Sequence, residues 1–145
     1  MKWNMNLTVA VLLCTMLTAG SLAYAKSNST DPELKMKRAI ENLTNGIKSD
    51  NEGLKKSSIY RAGYYMISEM VPVLTEIVKK ETEPNTRILI ALVLYRIGDK
   101  NGINLVKDMA VNDRNPEVRR MCTSIYYAFE TGNSEDFVSL TSIVK

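Results

Sequence analysis

A period of thirty-two residues runs through most of this chain. Leu54-Lys55, Thr86-Arg87 and Val118-Arg119 each open an apolar stretch, reached through a polar turn at Asp50-Asn51-Glu52, Glu83-Pro84-Asn85 or Asn115-Pro116-Glu117. A fixed period of this length predicts a helical repeat array, in which each unit buries its apolar face against its neighbours. Such an array builds a surface rather than a pocket of converging reactive groups. That argues for a binding or scaffolding role and against an enzyme.

Along the chain, Asp31-Pro32-Glu33 reads as an N-cap, a first-turn proline and an early acid ahead of Leu34, Met36, Ala39, Ile40, Leu43 and Ile47 at helical spacing. Turn formers at 49–53 end this helix, and a second is predicted over 54–66. Pro72 suits the first turn of a third helix that closes at Lys79-Lys80, whose charges favour a helix C-terminus. The next run, 86–97, is apolar on nearly every side. Its Ile and Val content suits a strand, but its twelve residues, its place in the repeat and the closing Gly98 favour a helix packed on both sides. A fifth helix carries Ile103, Leu105, Val106, Met109 and Ala110, and a sixth carries Val118, Met121, Cys122, Ile125, Tyr126 and Phe129. Ser134-Glu135-Asp136 can cap a short seventh. The first helices share the register too, Val73 with Leu105 and Phe137, and Leu74 with Val106 and Val138. The expected fold is all-α, a right-handed α-solenoid of about three helix pairs plus a C-terminal capping helix, forming one domain over 31–145.

The N-terminal stretch 1–25 holds one charge, Lys2, an apolar run from Leu7 to Leu17 and a small-residue end at Ala23-Tyr24-Ala25, the pattern of a cleaved secretory signal. A retained anchor is the alternative, though the run falls short of the ~20 apolar residues a spanning helix needs. A polar leader at 26–30 would follow the cut. Loss of Lys2 from 19 basic residues leaves 18 against 16 acidic, a net charge of +2, too weak to imply nucleic acid. Cys14 would leave with the signal, so Cys122 would be the only cysteine and no internal disulfide could form. His is absent, which removes the commonest general base and transition-metal ligand. No cofactor or metal is expected.

A turn containing Asp or Asn and often Pro, then an apolar residue, then Arg or Lys, then an apolar helix ending near Gly, resembles HEAT repeats. The short period is most similar to the HEAT-like repeats named after phycobilisome lyases. The likeness is clearest from Asn85 to Asp99, good from Asn115 to Ala128 and looser from Asp50 to Gly63, where Lys55 stands for Arg and Ser57-Ser58 for larger residues. The arrangement as a whole also resembles small exported HEAT-like proteins of the Bacteroidetes and related bacteria. The resemblance implies an α-solenoid for protein interaction and does not imply lyase chemistry. It also implies that Lys55, Arg87 and Arg119 form a structural ladder tying adjacent repeats through turn acids, with Asp50, Asp99 and Asp113 as candidates.

The second helices line the concave side in HEAT-like stacks. In the thirty-two-residue register, Lys56, Tyr60 and Tyr64, then Leu92, Tyr95 and Arg96, then Arg120, Ser124 and Tyr127 fall near one stripe. Tyr and Arg are enriched in binding hot spots, and the stripe would suit an extended or helical peptide with acidic residues. The same tyrosines also suit half-buried packing with their hydroxyls at the surface. Tyr64-Tyr65 and Tyr126-Tyr127 could stack on sugars or bases, but neither pair has a dense basic track beside it. Cys122 aligns with the interior positions Ser58 and Ile90, which suggests a buried, inert thiol. The expectation is a non-catalytic protein- or peptide-binding adaptor, exported to the periplasm or the medium of a bacterium. The alternative is a structural or regulatory subunit of an envelope assembly, touching partners through the solenoid ends near Phe137 and Val138.

Overall fold

The computed structural model describes residues 31–132. Among them are six α-helices: α1 (Pro32–Ile47), α2 (Glu52–Tyr64), α3 (Val71–Lys80), α4 (Pro84–Ile97), α5 (Lys100–Asn112) and α6 (Pro116–Thr131). A 3-10 turn occupies Ser68–Met70, and the described residues contain no strand. The signal, the polar leader and the seventh helix expected from sequence lie outside the described residues. The chain divides into two units, Met1–Lys37 and Arg38–Lys145, with the boundary inside α1. The described part of the first unit is the opening of that helix, where Asp31 accepts the Glu33 N–H at 3.0 Å.

In the second unit, α4 is the central helix, in contact with α2, α3, α5 and α6. α2, α4 and α6 lie side by side in one layer, and α3 and α5 pack together in another. The all-round apolarity of α4 follows from this position, since Ile88, Ile90, Ala91, Leu92, Val93 and Leu94 are all buried. Gly63 lets α2 and α4 approach closely, because a Cβ there would lie 2.8 Å from Val93 Cγ2. Among the described residues no helix is long and apolar enough to cross a membrane.

The starts of α2, α4 and α6 follow one hydrogen-bonding scheme. The N-caps are Asn51, Glu83 and Asn115, thirty-two residues apart, and each side chain accepts N–H groups from the first turn. Two residues upstream, a further side chain accepts the N–H of each cap residue: Ser49 Oγ at 3.1 Å, Glu81 Oε1 at 2.9 Å and Asp113 Oδ1 at 2.8 Å. Four residues after the cap comes a base. Arg87 Nη1 reaches back to the Glu81 carbonyl at 3.2 Å, and Arg119 Nη1 to the Asp113 carbonyl at 2.7 Å.

The same bases reach forward to the next turn. Lys55 Nζ lies 3.3 Å from Glu81 Oε2, while Arg87 forms a two-pronged pair with Asp113 at 2.8 and 2.9 Å. Both links join residues twenty-six apart. The Arg87 and Asp113 side chains are only 4% and 7% exposed, and among the described residues no buried side-chain nitrogen or oxygen lacks a partner. Burial by itself raises the Asp113 carboxyl, but the hydrogen bonds from Arg87 and from the Asn115 N–H outweigh it and hold the group below its ordinary value. Glu81 is lowered in the same way, with burial opposed by the Glu83 N–H and by Lys55.

Helix α2 ends two residues earlier than its apolar pattern predicts. Met66 adopts a left-handed φ of 50°, its N–H bonding to the Gly63 carbonyl and that of Ile67 to the Ala62 carbonyl. This is the double hydrogen bond that closes helices at a left-handed residue, and the burial of both Ile67 and Ala62 supplies its usual apolar clasp. Nothing in the local sequence marks the stop with Gly or Pro.

Two outcomes test the polar scheme. Arg87→Met leaves the Asp113 carboxylate buried without its partner and is expected to cost about 3–5 kcal/mol in urea unfolding, whereas Lys55→Met should cost about 1 kcal/mol. Because Glu81 and Asp113 are lowered in the folded state, their contribution is present above the unfolded values of 4.5 and 3.8 and is lost as pH falls through the lower folded values. The urea midpoint should therefore drop steeply below about pH 4.5, and less steeply in Asp113→Asn, where one of these groups no longer titrates.

Candidate functional site

The parallel course of α2 and α4 separates two edges. At their starts, Lys56 Nζ stands 3.6 Å from Glu83 Oε2. At their ends, the Arg96 guanidinium carbon lies 5.9 Å over the Tyr64 ring. The starting edge is polar and internally paired, while the finishing edge is aromatic and open.

On the finishing edge, the Tyr60 and Tyr64 rings stack with centroids 6.2 Å apart at 30°, one helical turn from each other on α2. Tyr65 meets Tyr64 edge to face at 5.0 Å. Exposure is 60% for Tyr60, 54% for Tyr64, 65% for Tyr65 and 60% for Met66, so four large side chains stand in water on consecutive or stacked positions. Arg61 and Arg96 flank them, both exposed, and neither has a carboxylate partner among the described residues.

Of the stripe read from sequence, the structure brings together Tyr60, Tyr64 and Arg96. Leu92 is a correction: only 7% exposed, it belongs to the core, because α4 is covered by helices on both flanks. Tyr95 is half-buried, its ring 6.3 Å from Phe129 at 80°. Tyr127 is exposed on α6 and joins no ring pair among the described residues. Lys56 and Arg120 sit near the helix starts, Arg120 facing Glu117 at 4.0 Å, and Ser124 bonds the Arg120 carbonyl within α6.

Among the acids named as partners for the basic ladder, Asp113 receives Arg87 on its carboxylate, while Arg119 reaches only its backbone carbonyl. Asp99 instead caps α5, accepting the Asn101 and Gly102 N–H groups at 2.9 and 3.2 Å. Asp50 is exposed and holds neither Lys55 nor Arg87, and the partner of Lys55 across the repeat is Glu81, which sequence reasoning missed. Cys122 is fully buried, and burial, then the nearby Asp113 charge, push its thiol up to about 12, so thiolate chemistry is closed to it near neutrality. Among the described residues no three His, Cys, Asp or Glu side chains gather as a metal site would require.

Compared with known proteins, the chain matches no family model, no curated protein and no solved structure.

Tyr65 entered the sequence reading only as half of a weak stacking pair, and Met66 was missed, although the register held a signal. Met66 occupies the position that Gly98 holds thirty-two residues later, where φ is 73°. A side chain in the left-handed region costs about 1–2 kcal/mol. Met66→Gly should consequently raise stability by about 1 kcal/mol in urea unfolding, while Gly98→Met should lower it by a similar amount.

Proposed function

We propose that this chain is an exported, non-catalytic α-solenoid of HEAT-like repeats that binds a protein or peptide through the exposed side chains of its second helices, α2, α4 and α6. The observation that carries the reading is the cluster of exposed Tyr60, Tyr64 and Tyr65 with Arg96 over the Tyr64 ring and without a carboxylate partner among the described residues, residue types that dominate binding interfaces. Contiguous exposed apolar surface of this kind is uncommon on a surface that meets only water. Support for the solenoid comes from the order of helix contacts, α2 on α4 on α6 and α3 on α5, together with turn hydrogen bonds that recur thirty-two residues apart. Support for export is the charge, apolar run and small residues of 1–25.

The test is crosslinking of the tagged full chain in its own cell, followed by recovery from the exported fraction, beside a Tyr60→Ala/Arg96→Ala double variant. A defined protein captured by the parent and lost by the variant at equal folded content is the expected result. Equal capture by both would move the interface off these helices, and a chain confined to the cytosol would sink the exported part of the reading.

A further inference from the structure

Among the described residues, the corner where α2 ends is the one place where a residue other than glycine sits at positive φ. The helix-closing position is glycine after α4 and after α6, at Gly98 and Gly132, with φ of 73° and 66°. After α2 it is Met66, held at φ 50° and 60% exposed. The Met66 side chain is exposed, while the strain at its backbone is carried by the hydrogen bonds of Met66 and Ile67 to Gly63 and Ala62. Residues held in this region with no local gain cluster at sites where the displayed group has work to do.

What surrounds Met66 defines what would cover it. Tyr64 and Tyr65 precede it, and Tyr60 stacks on Tyr64. Arg96 stands over the Tyr64 ring and Arg61 is exposed on the same turns of α2, neither with a carboxylate partner among the described residues, whereas Lys55, Lys56 and Arg87 at the opposite edge are all paired with acids. Arg96 is held against the Tyr64 ring, which limits its freedom and leaves its outer N–H groups able to donate. Apolar surface with two uncommitted guanidinium groups is complementary to an apolar segment carrying carboxylates. A bilayer fits less well, because anionic membranes are bound through clusters of about four to eight basic residues, and this corner offers two.

We propose that Tyr60, Arg61, Tyr64, Tyr65, Met66 and Arg96 form a docking site for an acidic peptide segment with an apolar anchor. The anchor lies on Met66 and the tyrosine rings while its carboxylates take the two guanidinium groups. This deepens the binding role proposed above and rests on it.

The experiment is an NMR titration of the full chain with three capped peptides, Glu-Leu-Phe-Glu, Gln-Leu-Phe-Gln and Lys-Leu-Phe-Lys, and with vesicles of anionic phospholipid. The expected result is a set of amide shifts confined to 60–67 and 96, with affinity falling from the acidic to the neutral to the basic peptide. Met66→Gly, which folds at least as stably as the parent, should bind the acidic peptide about fivefold or more weakly, and so should Arg96→Gln. Shifts centred on Arg120 and Tyr127 would overturn the site while leaving a peptide-binding role standing. No binding to any peptide would overturn both. Shifts produced by vesicles alone, or by raising the protein concentration alone, would assign the corner to a membrane or to a second copy and overturn the proposal. Unchanged affinity in Met66→Gly would overturn the part given to the strained methionine.

Discussion

The buried pair between Arg87 and Asp113 governs how the rest of the second unit is arranged. A two-pronged guanidinium–carboxylate contact with both side chains almost fully covered tolerates one geometry. Arg87 projects from the first turn of α4, and Asp113 sits in the turn before α6, so the pair fixes where α6 starts relative to α4. Asp113 then passes its second role down the chain by accepting the N–H of Asn115, whose side chain caps α6. One carboxylate thus links helix neighbour, turn and cap. Removing two charges from water offsets much of what their attraction gains, so the pair contributes orientation more than net stability. The stabilising term is the apolar burial around α4, and the pair determines which of several apolar packings is adopted.

The linkage weakens away from the centre. One repeat earlier, Lys55 replaces Arg87 and a single contact to Glu81 replaces the two-pronged one, while the upstream acceptor at the head of α2 is Ser49 rather than an acid. At the head of α6, Arg119 makes the backward bond to the Asp113 carbonyl and has no forward ion pair among the described residues. A linkage strongest between α4 and α6 concentrates cooperativity there and leaves less firmly linked helices cheaper to open.

Much of this was legible in the sequence, for physical reasons. The caps at Asn51, Glu83 and Asn115 are local events set by two or three residues, and a thirty-two-residue register reveals them at once. The all-apolar 86–97 segment reads as a covered helix because its length and closing Gly98 oppose a strand. Leu92 was misread because register alone does not separate the covered flank of α4 from its open end. The close approach of α2 to α4 runs through Gly63 against Val93, and a residue without a side chain carries no apolar signal. Glu81 was missed as the partner of Lys55 because it closes α3 and its polar role depends on a contact twenty-six residues away. The stop at Met66 was overlooked because sequence reading looks for glycine at a left-handed closure, and only its register with Gly98 pointed to a closure made by hydrogen bonds to Gly63 and Ala62 and the Ile67 clasp.

The two edges of the second layer divide the physical requirements between them. At the helix starts, every repeat places an acceptor at the cap, a second acceptor two residues upstream and a base four residues on, though not always of the same residue type, because the backbone groups exposed at a helix N-terminus must be satisfied in each unit. Positions there are constrained by the fold, and their side chains are used up in satisfying it. At the helix ends, closure needs only a left-handed residue, which glycine supplies without cost at Gly98 and Gly132. Around these closures some side chains are held by packing, Ile67 on Ala62 and Tyr95 on Phe129, while Tyr60, Tyr64, Tyr65 and Met66 at the end of α2 and Tyr127 at the end of α6 stand exposed. Arg96, from the last turn of α4, reaches over the Tyr64 ring and joins the ends of α2 and α4. Residues that recur with the repeat locate the scaffold, and the closure at Met66 is a departure from it that costs stability where glycine would not.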